Sequence, residues 1–144
     1  MTGDTLRSVT LRRTEAGRFV ATNPRGGELT FGGGGEEFTP VEMLLAAIAG
    51  CSALDVDALT TRRAEPKSFE VVATAHKVRD ESGNRLDDIR VRFQVTFPDG
   101  AAGDAARAVL PDMVARSHDR LCTVTRTVER GTPVDTRLDR AGSG

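Results

Sequence analysis

Two cysteines are the residues of this chain whose type suits redox chemistry. Cys51 lies in an apolar segment, and Cys122 follows 71 residues later. A free cysteine is either a small buried hydrophobic residue or a reactive group, and only its thiolate form is nucleophilic. Whether Cys51 and Cys122 pack or react is therefore the functional question that the sequence poses.

The helical neighbours of Cys51 do not favour a thiolate. Positions three and four residues away hold three apolar side chains and one anion: Ala47, Ile48, Leu54 and Asp55. Cys51 also lies about 12 residues, or about 18 Å, beyond the predicted start of its helix, where the helix dipole no longer acts. A reactive Cys51 therefore requires a cation brought in by tertiary structure.

Cys122 has a different neighbourhood. It follows His118 and Arg120, whose positive charge would favour a thiolate. The alternative is that Cys122 packs beneath a helix-to-strand junction while both neighbours are solvated. A zinc site built from Cys51, His118 and Cys122 would lack the close cysteine spacing of structural zinc sites, so we expect no metal.

The carboxylates of the same apolar segment need partners. Asp55 and Asp57 are predicted to lie on a buried helix, and a buried carboxylate must be paired. An ion pair between such a carboxylate and an arginine would stabilise a dimer, or the carboxylate would take part in catalysis. The sequence leaves both alternatives open. The candidate partners are arginines of the first strands or of a second subunit: Arg12, Arg13 and Arg18.

Composition narrows the class of protein. Hydrophobic residues make up 38% and charged residues 28%, with a net charge of -1, which is typical of a globular protein and not of a nucleic-acid binder. The chain opens without the pattern of a secretory signal, and its longest charge-free apolar run, Met43–Leu54, is too short to span a bilayer. We expect a cytoplasmic protein without a membrane partner, in which a stable structural disulfide is not expected.

The remaining pattern predicts one α+β domain over residues 1–144. Four glycines, Gly32–Gly35, form a loop without the sequence context of a phosphate-binding motif. Apolar and polar residues that alternate with a period of two, between turn residues, predict strands. A second helix is expected to be broken or kinked at Pro111. The strands are Ser8–Arg13, Arg18–Thr22, Glu28–Phe31, Ser68–Val78, Ile89–Phe97, Thr123–Glu129 and Pro133–Leu138, the helix is Ala101–Arg120, and residues 139–144 are a frayed tail.

The central helix is the strongest prediction. Thr39 is expected to cap it, Pro40 suits its first position, and Glu42 completes a capping box. From Val41 to Thr60, 14 of 20 residues are apolar, and they cover every face. A helix that is apolar all round is buried on all sides, so we expect a second subunit to supply part of its cover.

This helix carries a family resemblance. The run Thr39–Val56, with its Gly-Cys-Ser-Ala-Leu-Asp core, resembles the central helix of the OsmC/Ohr family of osmotically induced and organic hydroperoxide resistance proteins. The second cysteine, the strand order and the glycine loop also fit, over about residues 8–138. The resemblance implies an intertwined α+β homodimer in which antiparallel sheets surround long buried helices and the active sites lie at the subunit interface.

The resemblance also implies a function. Its best-understood members are cysteine-based, peroxiredoxin-like peroxidases of the oxidative stress response that reduce organic hydroperoxides without a bound cofactor. By this likeness Cys51 is peroxidatic, Cys122 is resolving, and an external lipoyl-type dithiol restores both thiols. An arginine of the N-terminal strands, Arg18 or Arg13, would hold the thiolate, and the substrate would be a small apolar hydroperoxide.

One position departs from the peroxidase branch of the family. That branch has a glutamate directly after the helix proline, whereas this chain has Val41 there and Glu42 one place later. The segment with Asp55 looks more like a less characterised OsmC-like branch. The alternative function is a non-catalytic module that binds an apolar small ligand in the dimer cleft, and a third is different thiol chemistry on the same scaffold.

Overall fold

Short strands precede a long helix, a hairpin and a helical C-terminal region. The computed structural model describes residues 5–139, which divide into two compact units: residues up to Ala47 with Ala73–Arg90, and Ile48–Val72 with the residues from Val91 onward. The elements are β1 (Thr10–Glu15), β2 (Arg18–Thr22), β3 (Glu28–Gly32), α1 (Pro40–Thr61), β4 (Ser68–Asp80), β5 (Gly83–Thr96), α2 (Ala101–Arg116), a π-helical segment (Ser117–Leu121) and α3 (Thr123–Glu129).

The first unit contains an antiparallel sheet in the order β1-β2-β3, as the sequence predicts to within two residues at each strand end. Phe19 and Phe31 stand opposite each other on β2 and β3, with ring centroids 6.0 Å apart. Gly32 must remain without a side chain, because a Cβ atom there would lie 2.7 Å from the Gly17 carbonyl oxygen. A larger residue at position 32 would therefore disturb the end of the sheet.

Helix α1 begins as predicted. The Thr39 N–H donates to Glu42 Oε1 at 2.9 Å, and the Glu42 N–H donates to Thr39 Oγ1 at 3.2 Å. Pro40 occupies the first helical position, where its missing N–H costs no hydrogen bond. The capping box that the sequence predicts is therefore confirmed.

A single stripe of α1 is buried within this chain. Its members are spaced four residues apart: Ile48, Ser52, Val56 and Thr60. Other apolar side chains of the helix are exposed to solvent, and Leu54 is 73% exposed. The helix also has the length and hydropathy of a membrane span, a property that the core helices of soluble proteins share. Burial on all sides, with cover from a second subunit, stays a prediction.

Strands β4 and β5 form a two-stranded sheet. Residues from Val91 to Thr96 alternate between half-buried and exposed, which is the period of two seen in the sequence. Phe69 and Phe93 meet edge to face, with ring centroids 6.2 Å apart. Both strands extend further toward the turn than predicted, to Asp80 and from Gly83, because the Asp80 carboxylate accepts the Ser82 N–H and closes a tight turn.

The C-terminal region corrects two predictions. Pro111 lies inside α2 without ending it, and the helix continues to Arg116 before passing into the π-helical segment. The segment Thr123–Glu129 is the helix α3 and not a strand, although its threonines and valines favour β structure. Cys122 overrides that propensity, because its side chain caps the helix by accepting the Thr125 N–H.

The end of the chain does not form the last predicted strand. Residues 133–138 have no regular structure. They follow α3, which ends at Glu129, and Gly131 with its φ of 63° turns the chain out of the helix. Of the predicted tail, Asp139 lacks regular structure as well, and residues 140–144 lie outside the described part of the chain.

Candidate functional site

The two cysteine thiols lie together in the second unit. Cys51 is on α1 and Cys122 directly precedes α3, and each thiol acts on the pKa of the other. Both are free thiols, with Cys51 half-buried and Cys122 fully buried at 0% exposure. The fold therefore brings two thiols that are far apart in sequence near each other, with unequal access to solvent.

Cys122 is held by polar groups from three sides. Its N–H donates to the Ser117 carbonyl at 2.8 Å, which is the hydrogen bond that closes the π-helical turn. Its sulfur accepts the Thr125 N–H at 3.4 Å and is hydrogen-bonded to Thr125 Oγ1 at 3.1 Å. The Ser52 hydroxyl lowers the pKa of the same thiol.

These contacts move the pKa values of the two thiols in opposite directions. For Cys122, burial acts most strongly and raises the pKa, but hydrogen bonds from Thr125, Ser52 and Cys51 together lower it below its ordinary value. For Cys51, burial again acts first and raises the pKa, and Cys122 and Asp55 raise it further. The arrangement thus favours the anion at Cys122 and the proton at Cys51.

No cation is among the groups that act most strongly on Cys51 within residues 5–139. These are its own burial, the Val124 backbone, Cys122 and Asp55, and of them only the backbone hydrogen bond lowers the pKa. A cation that activates Cys51, which the sequence analysis requires, therefore stays a prediction.

Asp55 has a partner other than the one predicted. The Ser117 hydroxyl donates to Asp55 Oδ2 at 2.8 Å, and Ser117 is fully buried. This hydroxyl satisfies one carboxylate oxygen of Asp55, and an arginine partner stays a prediction. Asp57 is exposed and not buried, and it accepts the Thr61 hydroxyl.

The side chains predicted to support Cys51 from the N-terminal part of the chain lie in the first unit. Arg18 donates from Nε and Nη2 to Glu37 Oε2, at 3.0 and 2.8 Å, and this carboxylate raises the pKa of the guanidinium. Arg13 lies on the exposed strand β1. Glu42 is engaged in the capping box of α1. A role of these side chains at Cys51 stays a prediction.

His118 and Arg120 are both exposed, and neither is a hydrogen-bond partner of Cys122. His118 bridges two carboxylates, Asp119 at 2.9 Å and Glu129 at 3.2 Å, and so joins the π-helical segment to α3. No group of three or more metal-binding side chains is found among residues 5–139.

Three residues of this site were missed by the sequence analysis: Ser52, Ser117 and Thr125. Ser52 had a detectable signal, since it interrupts the apolar stripe of α1 one residue after Cys51. Thr125 lies three positions after Cys122, the spacing at which a capping side chain meets a helix N–H. Ser117 had no signal, because its partner Asp55 is 62 residues away.

Comparison with known proteins places the chain in a family. The sequence profile of OsmC-like proteins matches residues 33–137. Uncharacterized proteins of Mycobacterium bovis and Mycobacterium tuberculosis are each 26% identical over 135 residues, covering 92% of this chain and 96% of the relative.

Two solved structures share the fold. An OsmC-like protein of unknown function from Vibrio cholerae superposes with a TM-score of 0.70 at 16% identity, covering 87% of this chain and 94% of its own. The organic hydroperoxide resistance protein OhrB of Bacillus subtilis has a TM-score of 0.52 at 19% identity, with coverages of 85% and 90%. Because the family profile matches most of its length, the chain belongs to the OsmC/Ohr family of OsmC-like proteins.

Proposed function

We propose that this protein is a cytoplasmic, homodimeric thiol peroxidase that reduces organic hydroperoxides with Cys51 as peroxidatic and Cys122 as resolving cysteine. The observation that carries the proposal is that two free thiols from separate elements lie near enough for each to act on the ionisation of the other. The proposal requires that this pair passes from two thiols to one disulfide, for which the two Cα atoms must come within about 7 Å. Family membership supplies the precedent, since one structural relative, from Bacillus subtilis, is an organic hydroperoxide resistance protein.

The chemistry takes two steps. The Cys51 thiolate attacks the distal oxygen of the hydroperoxide, so that an S–O bond forms, the O–O bond breaks, and the alkoxide leaves and takes up a proton. The Cys122 thiolate then attacks the sulfur of the resulting sulfenic acid, which expels hydroxide and leaves a disulfide. Two electrons pass from the thiol pair to the peroxide, and the products are an alcohol and water.

Burial supports this division of roles. A substrate must reach the peroxidatic sulfur, and Cys51 is half-buried whereas Cys122 is fully buried. The same difference directs reduction, since an external dithiol attacks the more accessible sulfur of a disulfide. By family resemblance we propose a lipoyl-type dithiol, which would attack Cys51 and release Cys122.

The exposed apolar residues of α1 support the homodimer. Leu54 is 73% exposed, and Val41 and Leu44 are 40% and 39% exposed. Apolar surface of this extent on one helix marks an interaction site. A second copy would cover it and line a cleft suited to small apolar hydroperoxides.

The supporting residues keep separate roles in this proposal. Arg18 and Arg13 are the candidates for holding the Cys51 thiolate. Glu42 fixes the start of α1 through the capping box, and Asp55 fixes the same helix to Ser117. The site would thus depend on the position of α1 as well as on its cysteine.

Thiol counting tests the proposal. The reduced protein is mixed with cumene hydroperoxide, and we expect both free thiols of each chain to be lost. The Cys51→Ser variant should keep the Cys122 thiol, while Cys122→Ser should form a Cys51 sulfenic acid that dimedone traps. Retention of both thiols by the reduced wild-type protein would refute the proposed peroxidase.

A ligand-binding module is the second candidate. It is favoured by the raised pKa of Cys51, which follows first from burial and makes an unaided thiol less reactive. In that case the exposed apolar residues around Leu54 would hold an apolar small molecule without turnover. Native mass spectrometry would then show a copurified ligand on a protein whose thiols resist peroxide.

A further inference from the structure

A polar cleft of about 470 Å³ lies at the junction of the π-helical segment and α3, lined by Asp119, Arg120 and Arg126. We infer that this cleft binds the phosphate group of a small molecule through the guanidinium groups of Arg120 and Arg126. The site goes beyond the proposed function, because its ligand is an anion and not a hydroperoxide and its lining contains neither cysteine.

The carboxylates closest in sequence to these arginines pair with a histidine instead. Asp119 Oδ1 lies 2.9 Å from His118 Nδ1, and Glu129 Oε2 lies 3.2 Å from His118 Nε2. Neither Arg120 nor Arg126 forms an ion pair in the part of the chain that the structure describes. The cleft therefore holds two guanidinium charges for which a bound anion would supply the counter-charge.

The charge of Asp119 opposes an anion in the cleft, and its partner offsets that charge. The hydrogen bond between Asp119 and His118 raises the pKa of the imidazole, and Glu129 raises it further, against loss of solvation. A protonated His118 beside Asp119 balances the carboxylate. The positive charge of the two arginines is then what a ligand meets.

Arg126 is held in a fixed position before any ligand binds. The residue is half-buried, and its Nη1 donates to the Asp119 carbonyl at 3.0 Å, which ties the guanidinium to the π-helical segment. Its other N–H groups have no partner within residues 5–139. A side chain that is already ordered loses less conformational entropy on binding, so Arg126 is suited to anchor an anion.

Two guanidinium groups favour a phosphate over a carboxylate. A single guanidinium in the fork geometry engages both oxygens of a carboxylate, whereas a phosphate has further oxygens for a second guanidinium. A phosphate monoester carries a charge of about −1.5 to −2 at pH 7, which matches the two arginines. The volume of about 470 Å³ is in the range of small-molecule sites, so the cleft has room for an organic group beside the phosphate.

Binding would also act on the segment that carries Cys122. Arg120 belongs to the π-helical segment and Arg126 to α3, and Cys122 lies between them in the sequence. A phosphate held by both arginines would join the two elements, in addition to the existing bond from Arg126 to the Asp119 carbonyl. A ligand that binds only this folded arrangement raises the midpoint of thermal unfolding.

Calorimetric titration of the reduced wild-type protein with phenyl phosphate tests the inference. At neutral pH and low salt we expect saturable binding of one phenyl phosphate per chain, together with a higher midpoint of thermal unfolding. Benzoate, which carries a carboxylate on the same ring, should bind at least about tenfold more weakly. Absence of saturable binding at millimolar phenyl phosphate would overturn the inference, and equal binding of the two anions would refute the preference for phosphate.

Matched variants test the two arginines. Arg120→Gln removes a guanidinium that has no partner in the described part of the chain, so the fold should persist while phenyl phosphate binding weakens about tenfold or more. Arg126→Lys keeps the charge but loses the fork, and should also weaken binding. The control is Arg130→Gln, an exposed arginine just after α3 that does not line the cleft. Equal weakening by Arg130→Gln and Arg120→Gln would attribute binding to general positive charge and contradict the site.

The place of binding is tested by the backbone amide resonances of the nitrogen-15-labelled protein. Phenyl phosphate should shift the signals of Asp119, Arg120 and Arg126 most strongly. Larger shifts in the first unit, for example at Arg12 or Arg13, would place the anion elsewhere and overturn the inference. Neither titration contains a peroxide, so both decide this question whether or not the proposed peroxidase activity is found.

Discussion

The Ser117 hydroxyl donates a 2.8 Å hydrogen bond to Asp55 and thereby ties the π-helical segment to α1. Ser117 is fully buried, and its own carbonyl accepts the Cys122 N–H. The pair therefore sets the position of the segment that carries Cys122 relative to the helix that carries Cys51. We therefore expect this contact to help hold the two sulfurs near each other.

Removing this hydroxyl should weaken the fold and slow disulfide formation. Ser117→Ala leaves a carboxylate oxygen of Asp55 without its partner, so we expect a loss of about 1–3 kcal/mol in the free energy of unfolding. Denaturant unfolding measures this, and thiol loss after peroxide addition measures the second effect. The control is Ser68→Ala, whose hydroxyl meets Thr96 at an exposed site. Equal effects of the two variants would contradict the assigned role of Ser117.

Substitutions of Glu42 distinguish a role in capping α1 from a direct role of its carboxylate at the candidate site. Glu42→Gln keeps an oxygen that can accept the Thr39 N–H, so we expect stability close to wild type. Glu42→Ala removes that acceptor and should cost about 0.5–2 kcal/mol. If Glu42→Gln retains stability but loses peroxide reactivity, the carboxylate acts beyond its cap.

Two helical glycines should respond to alanine with opposite signs. A Cβ atom on Gly103 would overlap the Pro98 carbonyl oxygen, so Gly103→Ala should destabilise the protein by about 1–3 kcal/mol. Gly50 on α1 has open space around its Cβ position, and Gly50→Ala should stabilise the single chain by about 0.5–1 kcal/mol. Thermal unfolding of both variants measures this, and destabilisation by Gly50→Ala would show that this face is covered by another chain.

His118 predicts a pH dependence of stability. Its pKa is raised, first by the hydrogen bond to Asp119 and further by Glu129, against loss of solvation. The pKa of His118 in the folded protein thus lies above its value in the unfolded chain, about 6.5, so the protonated imidazole stabilises the fold fully below that pH. This stabilisation is lost as the pH rises through the pKa of the folded state. The effect should be small, because all three side chains are more than half exposed.

The measurement for His118 is the free energy of unfolding from about pH 5.5 to about pH 8, compared between wild type and His118→Gln. The variant should lose the decline in stability across this range. If both proteins follow the same curve, the bridge between the π-helical segment and α3 contributes nothing.

The regular part of the fold was predictable from sequence because its signals are local. The alternation in β5 and the capping box at Thr39 and Glu42 each need only a few neighbouring residues. Helix α3 was not predictable, because its threonines and valines favour strands, whereas the contacts that support the helix, among them the Cys122 cap, are set by the fold. A local propensity was here overridden by a single capping contact.

The sequence indicated Cys51, Cys122 and Asp55 of the candidate site, but not the groups that surround them. The proximity of the two cysteines, the Ser117 partner of Asp55 and the hydroxyl of Ser52 at Cys122 all join residues at least 62 positions apart. Such pairs are created by tertiary structure and leave no spacing pattern in the sequence. The family resemblance assigned roles to Cys51 and Cys122. The groups that act on each thiol were visible only in the structure.

The most direct test of the redox pair is a single-turnover titration. Reduced protein receives cumene hydroperoxide in stoichiometric amount, and the alcohol released is quantified while peptide mapping locates the oxidised sulfurs. The account predicts one equivalent of alcohol per chain and a disulfide that joins Cys51 to Cys122. Absence of alcohol with both cysteines recovered as thiols would contradict it.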